Sequence, residues 1–406
     1  MLCIVIVVVW LYRSVTTKEY RAWLRTSIKW YTVFFLLLIA WGVLRGLLHG
    51  NALADVYYDG NAYVYFVYLP IWYTALAGIR WSRLISIASG AMLWLAIKTL
   101  TLLHIFVYDY SLANPLYLYF WLRDTRIAEI TPAGGAMVRV FMQSQVYLGI
   151  AFLMGLVGSW FAKRLRLSVV ISMIVIAAAI IATLSRSYWL GVVVGGGALF
   201  ALGLSLKTIP VLRLQRSFGL FIMSGVLGFL LVIAVSVGSF DAFVGSTVSS
   251  RVDNIAGDAA GASRVNQLKP LVVAVQAHPL DGQGFGTHVS YESRDPRRVT
   301  PENPTGLVST YAFEWGYLDQ LVKWGGIAFG LFFLMLVHLL YRAVRLAWAH
   351  ERARLPALCL LIGLIYIMVV HMVSPYLNHP LGIGYLLLVI CFLEPTIHTH
   401  YEATHD

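Results

Sequence analysis

The stretch His278-Pro279-Leu280-Asp281-Gly282-Gln283-Gly284-Phe285-Gly286 lies inside the one long segment of this chain, Phe240 to Gly325, that is not a membrane span. Ser263-Arg264 precedes it. The segment closes on Glu314-Trp315-Gly316-Tyr317-Leu318, where an apolar helix resumes. Nearly everything on either side is apolar. Side chains able to do chemistry must therefore sit in this segment or at helix ends facing it.

Composition sets the class. The chain has 406 residues, of which 59% are hydrophobic and 12% charged, against about 25% charged in a soluble domain. Several runs exceed the roughly 18 apolar residues that cross a bilayer as a helix. Their unbroken character predicts helices rather than the alternating strands of a barrel. The prediction is an all-α polytopic membrane protein. The net charge of +11 raises nucleic acid as a partner, but the basic residues cluster between spans, where they set topology, so that reading is rejected. Cys3, Cys359 and Cys391 fall inside apolar runs, which argues against a disulfide framework or a thiolate metal site. The first run, Leu2 to Tyr12, has no small-residue cleavage site, so no cleavable leader is expected.

Eleven spans are expected, over residues 2–13, 28–49, 61–80, 83–108, 135–161, 167–185, 188–206, 217–238, 317–343, 355–373 and 380–394. Basic residues mark alternate connections: Arg13 to Lys29, Arg80 and Arg83, Lys163 to Arg166, Lys207 to Arg216, and Arg342 to Arg354. These connections hold more than half of the Lys and Arg residues and are assigned to the cytoplasm. The connections between them face outward. An odd count leaves the short first helix unpaired, which suggests a twelfth span upstream or a count off by one. The chain thus divides into an N-terminal transmembrane bundle (1–238), an outer catalytic loop region (239–316), C-terminal transmembrane helices (317–397) and a cytoplasmic tail (398–406).

Several features carry two readings. The outer stretch Tyr108 to Thr131 is dense in aromatics, as in an interfacial helix or in a lid over a lipid substrate. Lys98, well inside the fourth span, is either a functional intramembrane cation or a side chain that snorkels outward. Arg139, four residues into the fifth span, sits at the outer mouth, where an anionic headgroup would be met. His278-Pro279 reads as a helix terminator more readily than as a catalyst. The Gly282–Gly286 run lacks a following helix with Lys-Ser/Thr, so it is a tight turn and not a nucleotide loop. Arg294, Arg297 and Arg298 form a basic tip that is either solvated or in contact with an acidic glycan. The terminal His398, His400 and His405 receive no role, and no repeat period is visible.

Three items fall on the outer side. Arg186 lies in the tight connection Thr183-Leu184-Ser185-Arg186-Ser187-Tyr188-Trp189, Arg264 opens a helix running to His278, and Glu314 precedes the ninth span. A polyprenyl-diphosphate sugar donor presents two phosphates at a membrane surface. Arginine binds phosphate oxygens in a fixed fork and keeps its charge, so it can stabilise a diphosphate leaving group without a metal. A carboxylate can take the proton of an attacking sugar hydroxyl. No acidic pair on this side has convincing metal-ligand spacing, and no cofactor is implied. Each residue also has a plainer reading: Glu314 as a helix N-terminal charge, Arg264 as a loop cation, Arg186 as an interface anchor.

Taken in order, Thr183 to Trp189, Ser263-Arg264 through Gly286, and Glu314-Trp315 to Gly325 resemble the conserved blocks of the bacterial O-antigen ligase and polymerase superfamily, the WaaL and Wzy proteins. Each block alone is weak; the ordered set around a large outer loop is more specific. The resemblance implies a GT-C-like inner-membrane glycosyltransferase with a periplasmic loop. Arg186 and Arg264 would grip an undecaprenyl-diphosphate-linked oligosaccharide, with Arg139 as a further contact and Lys98, Tyr188 and Trp315 as accessory residues. Where ligases carry a histidine nine to ten residues before a glycine, this chain has Glu314 ahead of Gly325. That departure points to a polymerase of O-antigen or exopolysaccharide rather than a ligase acting on lipid A-core. Partners implied are the lipid-linked donor, a glycan or lipid A-core acceptor, membrane lipids and a chain-length regulator. The competing class is a lipid-linked oligosaccharide flippase or small-solute carrier, which would place ionisable groups near the bilayer midplane beside broken helices.

Overall fold

The computed structural model describes residues 2–77, 79, 81–108, 115–134, 137–206, 208–236, 259–293, 299, 301 and 303–395. Residues 239–258 of the long segment, the basic tip Arg294, Arg297 and Arg298, and the tail with His398, His400 and His405 lie outside them. Among the described residues, seven helices are long and apolar enough to cross a membrane, and Val5–Thr16, Tyr63–Ala77, Leu167–Ala182 and Pro380–Phe392 are shorter apolar helices. The chain is an all-α, multi-pass membrane protein, and an apolar helix occupies each of the eleven predicted runs.

The chain divides into two compact units. The first contains α1 (Leu2–Thr16), α2 (Ile28–Leu48), α3 (Leu53–Gly60), a 3-10 turn (Tyr63–Tyr68) and α4 (Leu69–Ala77). It also takes α11 (Ala259–Ala277), the hairpin β3 (Val289–Glu292) and β4 (Leu307–Thr310), α12 (Gly316–Ala349) and α14 (Pro380–Phe392). Within it α2 packs on α3, α4, α12 and the 3-10 turn, while α11 packs on β3 and α12. The second contains α5 (Trp81–Tyr108), α6 (Pro115–Asp124), the hairpin β1 (Glu129–Gly134) and β2 (Met137–Phe141), α7 (Val146–Phe161), α8 (Leu167–Ala182), α9 (Arg186–Ser205) and α10 (Val211–Ser236). Its core joins Leu100, Leu102 and Leu103 of α5 to Ile130, Val140, Ala178, Ala182 and Val232. The helix α13 (Glu351–His371) gives Leu358–Val369 to the second unit and its ends to the first.

Local chemistry explains most boundaries. Pro380 opens α14 at a position where a missing N–H costs nothing, and the His379 ring accepts from the Leu381 N–H at 3.2 Å. The turn from α8 to α9 is closed by Leu184 at φ 49 and by the Thr183 hydroxyl, which accepts from the Ser185 N–H at 3.1 Å. The helix α11 ends at Ala277, ahead of His278-Pro279, as expected.

Three expectations change. The fifth span does not begin at residue 135. Val138, Arg139, Val140 and Phe141 lie on β2, whose backbone groups pair antiparallel with β1, and the apolar helix begins only at Gln143. Alternating side chains favour that extended pairing, and Gln145 then caps the turn by accepting from the Met142 N–H at 2.8 Å. In the segment 239–316 the expected helix is present as the 19-residue α11, and the β3–β4 hairpin is additional to it. The ninth span runs from Gly316 to Ala349 but is broken at Gly325, where φ is 73° and ψ 172°. The aromatic stretch holds a helix, α6, in which Arg123 lies over the Phe120 ring at 4.8 Å.

Candidate functional site

The break in α12 organises the first unit. Glycine is required at 325: with φ at 73°, a Cβ would also fall 2.4 Å from the Leu280 carbonyl oxygen. Breaking a membrane helix frees backbone groups that lipid cannot satisfy. Residues 279–284 satisfy them here. The Gln283 N–H donates to the Val322 carbonyl at 2.8 Å and the Gly284 N–H to the Lys323 carbonyl at 2.9 Å. In return Gly326 N–H donates to the Pro279 carbonyl at 2.8 Å. The turn is wedged against α2 so closely that a Cβ on Gly284 would come 1.8 Å from the Gly46 nitrogen. Phe285 is wholly buried, its N–H donating to the Gly42 carbonyl at 2.9 Å. Arg45 holds the turn from the other side, donating through Nε to the Gly282 carbonyl at 3.1 Å and pairing with Asp281.

Immediately before the break lie three buried charges. The Lys323 ammonium is 2.6 Å from Asp59 Oδ1 on α3 and 2.5 Å from Asp319 Oδ1 one turn earlier on α12. Their side chains are 3%, 7% and 2% exposed. Asp59 Oδ2 accepts from the Gly286 N–H at 2.8 Å, and Asp319 Oδ2 accepts from the Asn378 amide. Gln320 Nε2 donates to Asn378 Oδ1 at 2.8 Å. Desolvating three charges is tolerated only where they pair and their remaining lone pairs find donors.

Arg264 and Glu314 lie in the same unit. The structure brings them into direct contact: the Arg264 guanidinium donates through Nε to the Glu314 carboxylate. The pair is accessible, with side chains 36% and 43% exposed. The Trp315 indole N–H donates to the Arg264 carbonyl at 2.8 Å, and the Glu314 N–H donates to Gln267 Oε1 at 3.2 Å. These bonds fix the start of α12 on α11. Leu271, Phe313 and Val322 form the core behind them. The Phe313 ring, next to Glu314, lies 5.5 Å from the Lys323 ammonium.

Arg139, Arg186, Tyr188 and Lys98 belong to the second unit. Arg139 is on β2 and not in a span; its Nε donates to the Thr183 carbonyl at 2.9 Å, at the end of α8. Its guanidinium lies 4.6 Å from the Phe141 ring, which stacks at 6.1 Å on buried Tyr188. Arg186 opens α9 immediately after the same turn, half-buried. Arg139, Tyr188 and Arg186 thus surround one turn. Lys98 is half-buried midway along α5 and has no hydrogen-bond or ion-pair partner among the described residues.

Sequence reasoning missed the cluster of Asp59, Asp319 and Lys323, although one signal was present. Asp319 and Lys323 stand four residues apart inside an apolar run, and ionisable residues in a span are functional candidates by default. Asp59 instead falls in the connection between the second and third expected spans. Among the described residues no three His, Cys, Asp or Glu side chains converge as metal ligands would. No family profile, curated protein or solved structure matches the chain.

Proposed function

We propose that the protein is a periplasm-facing inverting glycosyltransferase of the bacterial inner membrane that uses an undecaprenyl-diphosphate-linked glycan, as a polymerase of O-antigen or exopolysaccharide. The observation that carries this reading is the accessible Arg264–Glu314 pair, a phosphate-binding cation against a candidate base. In the resting protein each neutralises the other. An incoming diphosphate competes for the Arg264 guanidinium and releases the Glu314 carboxylate. Glu314 then takes the proton of the acceptor hydroxyl. The acceptor oxygen bonds to the anomeric carbon as the carbon–oxygen bond to diphosphate breaks. The electron pair leaves with the phosphate oxygen, whose charge Arg264 stabilises. Attack opposite the leaving group inverts the anomeric centre. Arg186 and Arg139, in the other unit, are further candidates for diphosphate binding, and Lys98, Tyr188 and Trp315 are accessory. Under this reading the chain has eleven or twelve spans, a GT-C-like arrangement and a periplasmic long segment, and arginine takes the place of a metal.

Purified protein in nanodiscs, given an undecaprenyl-diphosphate oligosaccharide with EDTA, tests it. One arm contains the donor alone and the other adds lipid A-core. A product ladder in the first arm is expected. Product in the second arm alone would reassign the protein as a ligase, and folded protein inactive in both arms would overturn the transferase reading. Glu314→Gln should abolish transfer and Arg264→Ala should weaken donor binding. Retained activity in the first variant, or unchanged donor affinity in the second, would remove the role assigned to that residue.

A second reading, a carrier or flippase for a lipid-linked oligosaccharide, is favoured by a different observation. Asp59, Lys323 and Asp319 are buried at a break in a membrane helix, the arrangement found where carriers bind substrate and coupling ions. Proteoliposomes loaded with labelled donor would separate the readings, since movement across the bilayer without a new glycosidic bond is expected of a carrier alone.

A further inference from the structure

We infer that the groove between the start of α2 and the second half of α12 binds one membrane glycerophospholipid with an anionic headgroup. The inference rests on neither functional reading. The groove lies toward the C-terminal end of α12, whose other end follows Glu314.

The groove has a volume of about 530 Å³, within the range of roughly 300–1,000 Å³ typical of small-molecule sites. Its two walls run antiparallel. Trp41, further along α2, donates to the Trp324 carbonyl at 3.1 Å, whereas Ser27 and Arg342 both line the groove. Ser27 donates to the Glu394 carboxylate and Arg342 to the carbonyl of neighbouring Leu393, which places the two at one level. From that level the lining changes character. Trp30 and Phe34 on α2 face Leu331 and Leu334 on α12, and these side chains are apolar. One end of the groove is therefore polar and the other oily, as a lipid is.

The polar end suits an anion. Arg342 uses Nη2 on the Leu393 carbonyl and is paired with no carboxylate among the described residues, so the rest of its fork is available to phosphate oxygens. Lys29 adds a second cation at the rim, 5.1 Å from the Trp30 ring, with no hydrogen-bond or ion-pair partner among the described residues. The acid at this level, Glu394, is 5% exposed and turned to Ser27. Basic pockets between membrane helices are where anionic lipid headgroups bind.

His338 decides which lipid. It stands four residues before Arg342, on the same helix face one turn deeper, and lines the groove inside the apolar run Leu336-Val337-His338-Leu339-Leu340. It is exposed and has no partner among the described residues. Snorkelling accounts for two cations at a helix end, but not for an imidazole below them, because polar groups facing hydrocarbon are costly. A neutral imidazole carries one N–H donor. A glycerophospholipid places ester carbonyls just below its phosphate, where this donor can reach them; a polyprenyl phosphate has only hydrocarbon there. Below His338 an acyl chain lies along Leu334 and Leu331. From Arg342 to Leu331 the helix covers about 16 Å at 1.5 Å per residue, close to half of the roughly 30 Å hydrocarbon core, the depth of one leaflet.

The test is native mass spectrometry of the full chain released from nanodiscs that contain phosphatidylglycerol and phosphatidylethanolamine with identical acyl chains. The wild type should retain one phosphatidylglycerol in preference to phosphatidylethanolamine. Lys29→Gln and Arg342→Gln should each lower that preference by roughly fivefold. Leu334→Trp, at a side chain 63% exposed, should obstruct the oily end and reduce retention of both lipids. His338→Leu should weaken retention of the diester lipid but not of its ether-linked analogue. Should Arg342→Gln fail to fold for want of the Leu393 contact, Lys29→Gln carries the headgroup test. The inference is overturned by a wild type that retains no lipid or both equally, by a preference that survives Lys29→Gln unchanged, or by undecaprenyl phosphate displacing phosphatidylglycerol at equal concentration.

Discussion

Lys323 and Asp59 meet across 264 residues of chain, with the ammonium 2.6 Å from the carboxylate and both side chains buried. This contact ties the short first segment of α12 to α3. The Gly286 N–H on the opposite oxygen of Asp59 ties the glycine turn to the same point.

Removing the cation should therefore cost more than removing the whole cluster. Lys323→Met leaves two buried carboxylates facing each other, and breaking such a group costs about 3–5 kcal/mol. Adding Asp59→Asn and Asp319→Asn should recover a large part of that loss. Thermal unfolding in detergent measures both steps; a triple variant no more stable than Lys323→Met would contradict the charge argument.

Two of the four glycines of α12 should behave in opposite ways. Gly325→Ala puts a Cβ at a left-handed φ and 2.4 Å from backbone atoms, a combination worth at least about 1–3 kcal/mol. At Gly330 an added Cβ meets nothing within 4 Å, so Gly330→Ala should be neutral or stabilise by up to about 1 kcal/mol. Equal effects at the two sites, in the same unfolding assay, would count against a functional break at 325.

Stability and activity should separate at Glu314. The Arg264–Glu314 pair is more than a third exposed on both sides, and such pairs contribute about 0–1 kcal/mol. Glu314→Gln should barely move the thermal midpoint while transfer is lost. A variant that loses activity together with its fold would leave Glu314 with a structural task only.

Acid should loosen the start of α14. His379 caps that helix through ring Nδ1, which must be unprotonated to accept the Leu381 N–H, and burial lowers its pKa from the ordinary 6.5. The unfolded chain then binds the proton first as pH falls. The contribution of His379 is present in full above about pH 6.5 and is lost as pH falls through the depressed native value. His379→Asn, which caps without titrating, should flatten that part of the pH–stability curve; an unchanged slope would dismiss the cap.

The helices were legible in the sequence because apolar run length is a local property. So were the end of α11 at His278-Pro279 and the tight Thr183–Ser185 turn, where residue type alone limits the backbone. The strand at Met137–Phe141 was not, since five extended residues abutting an apolar run read as its beginning until a partner strand is supplied. Nor was the break at Gly325. A glycine inside a span is ordinary, and this one is decisive only because Pro279 to Gly284 offers hydrogen bonds to the opened helix. For the candidate site, Arg264 and Glu314 were singled out individually, but their contact depends on how α11 docks. Asp59 could not be joined to Lys323 from spacing, because nothing local links α3 to α12.

The distance along the chain between these two residues also bears on how the protein is made. Asp59 is synthesised 264 residues before the ammonium it will pair with. At roughly 5–20 residues per second, that is a wait of about ten to fifty seconds. During it α3 has no Lys323, and the slot between Gly42, Gly46 and Gly60 that will receive Phe285 has no occupant. The N-terminal helices must therefore persist beside the translocation machinery as an unfinished half-site, with a carboxyl group exposed to lipid, water or a helper protein until α12 arrives.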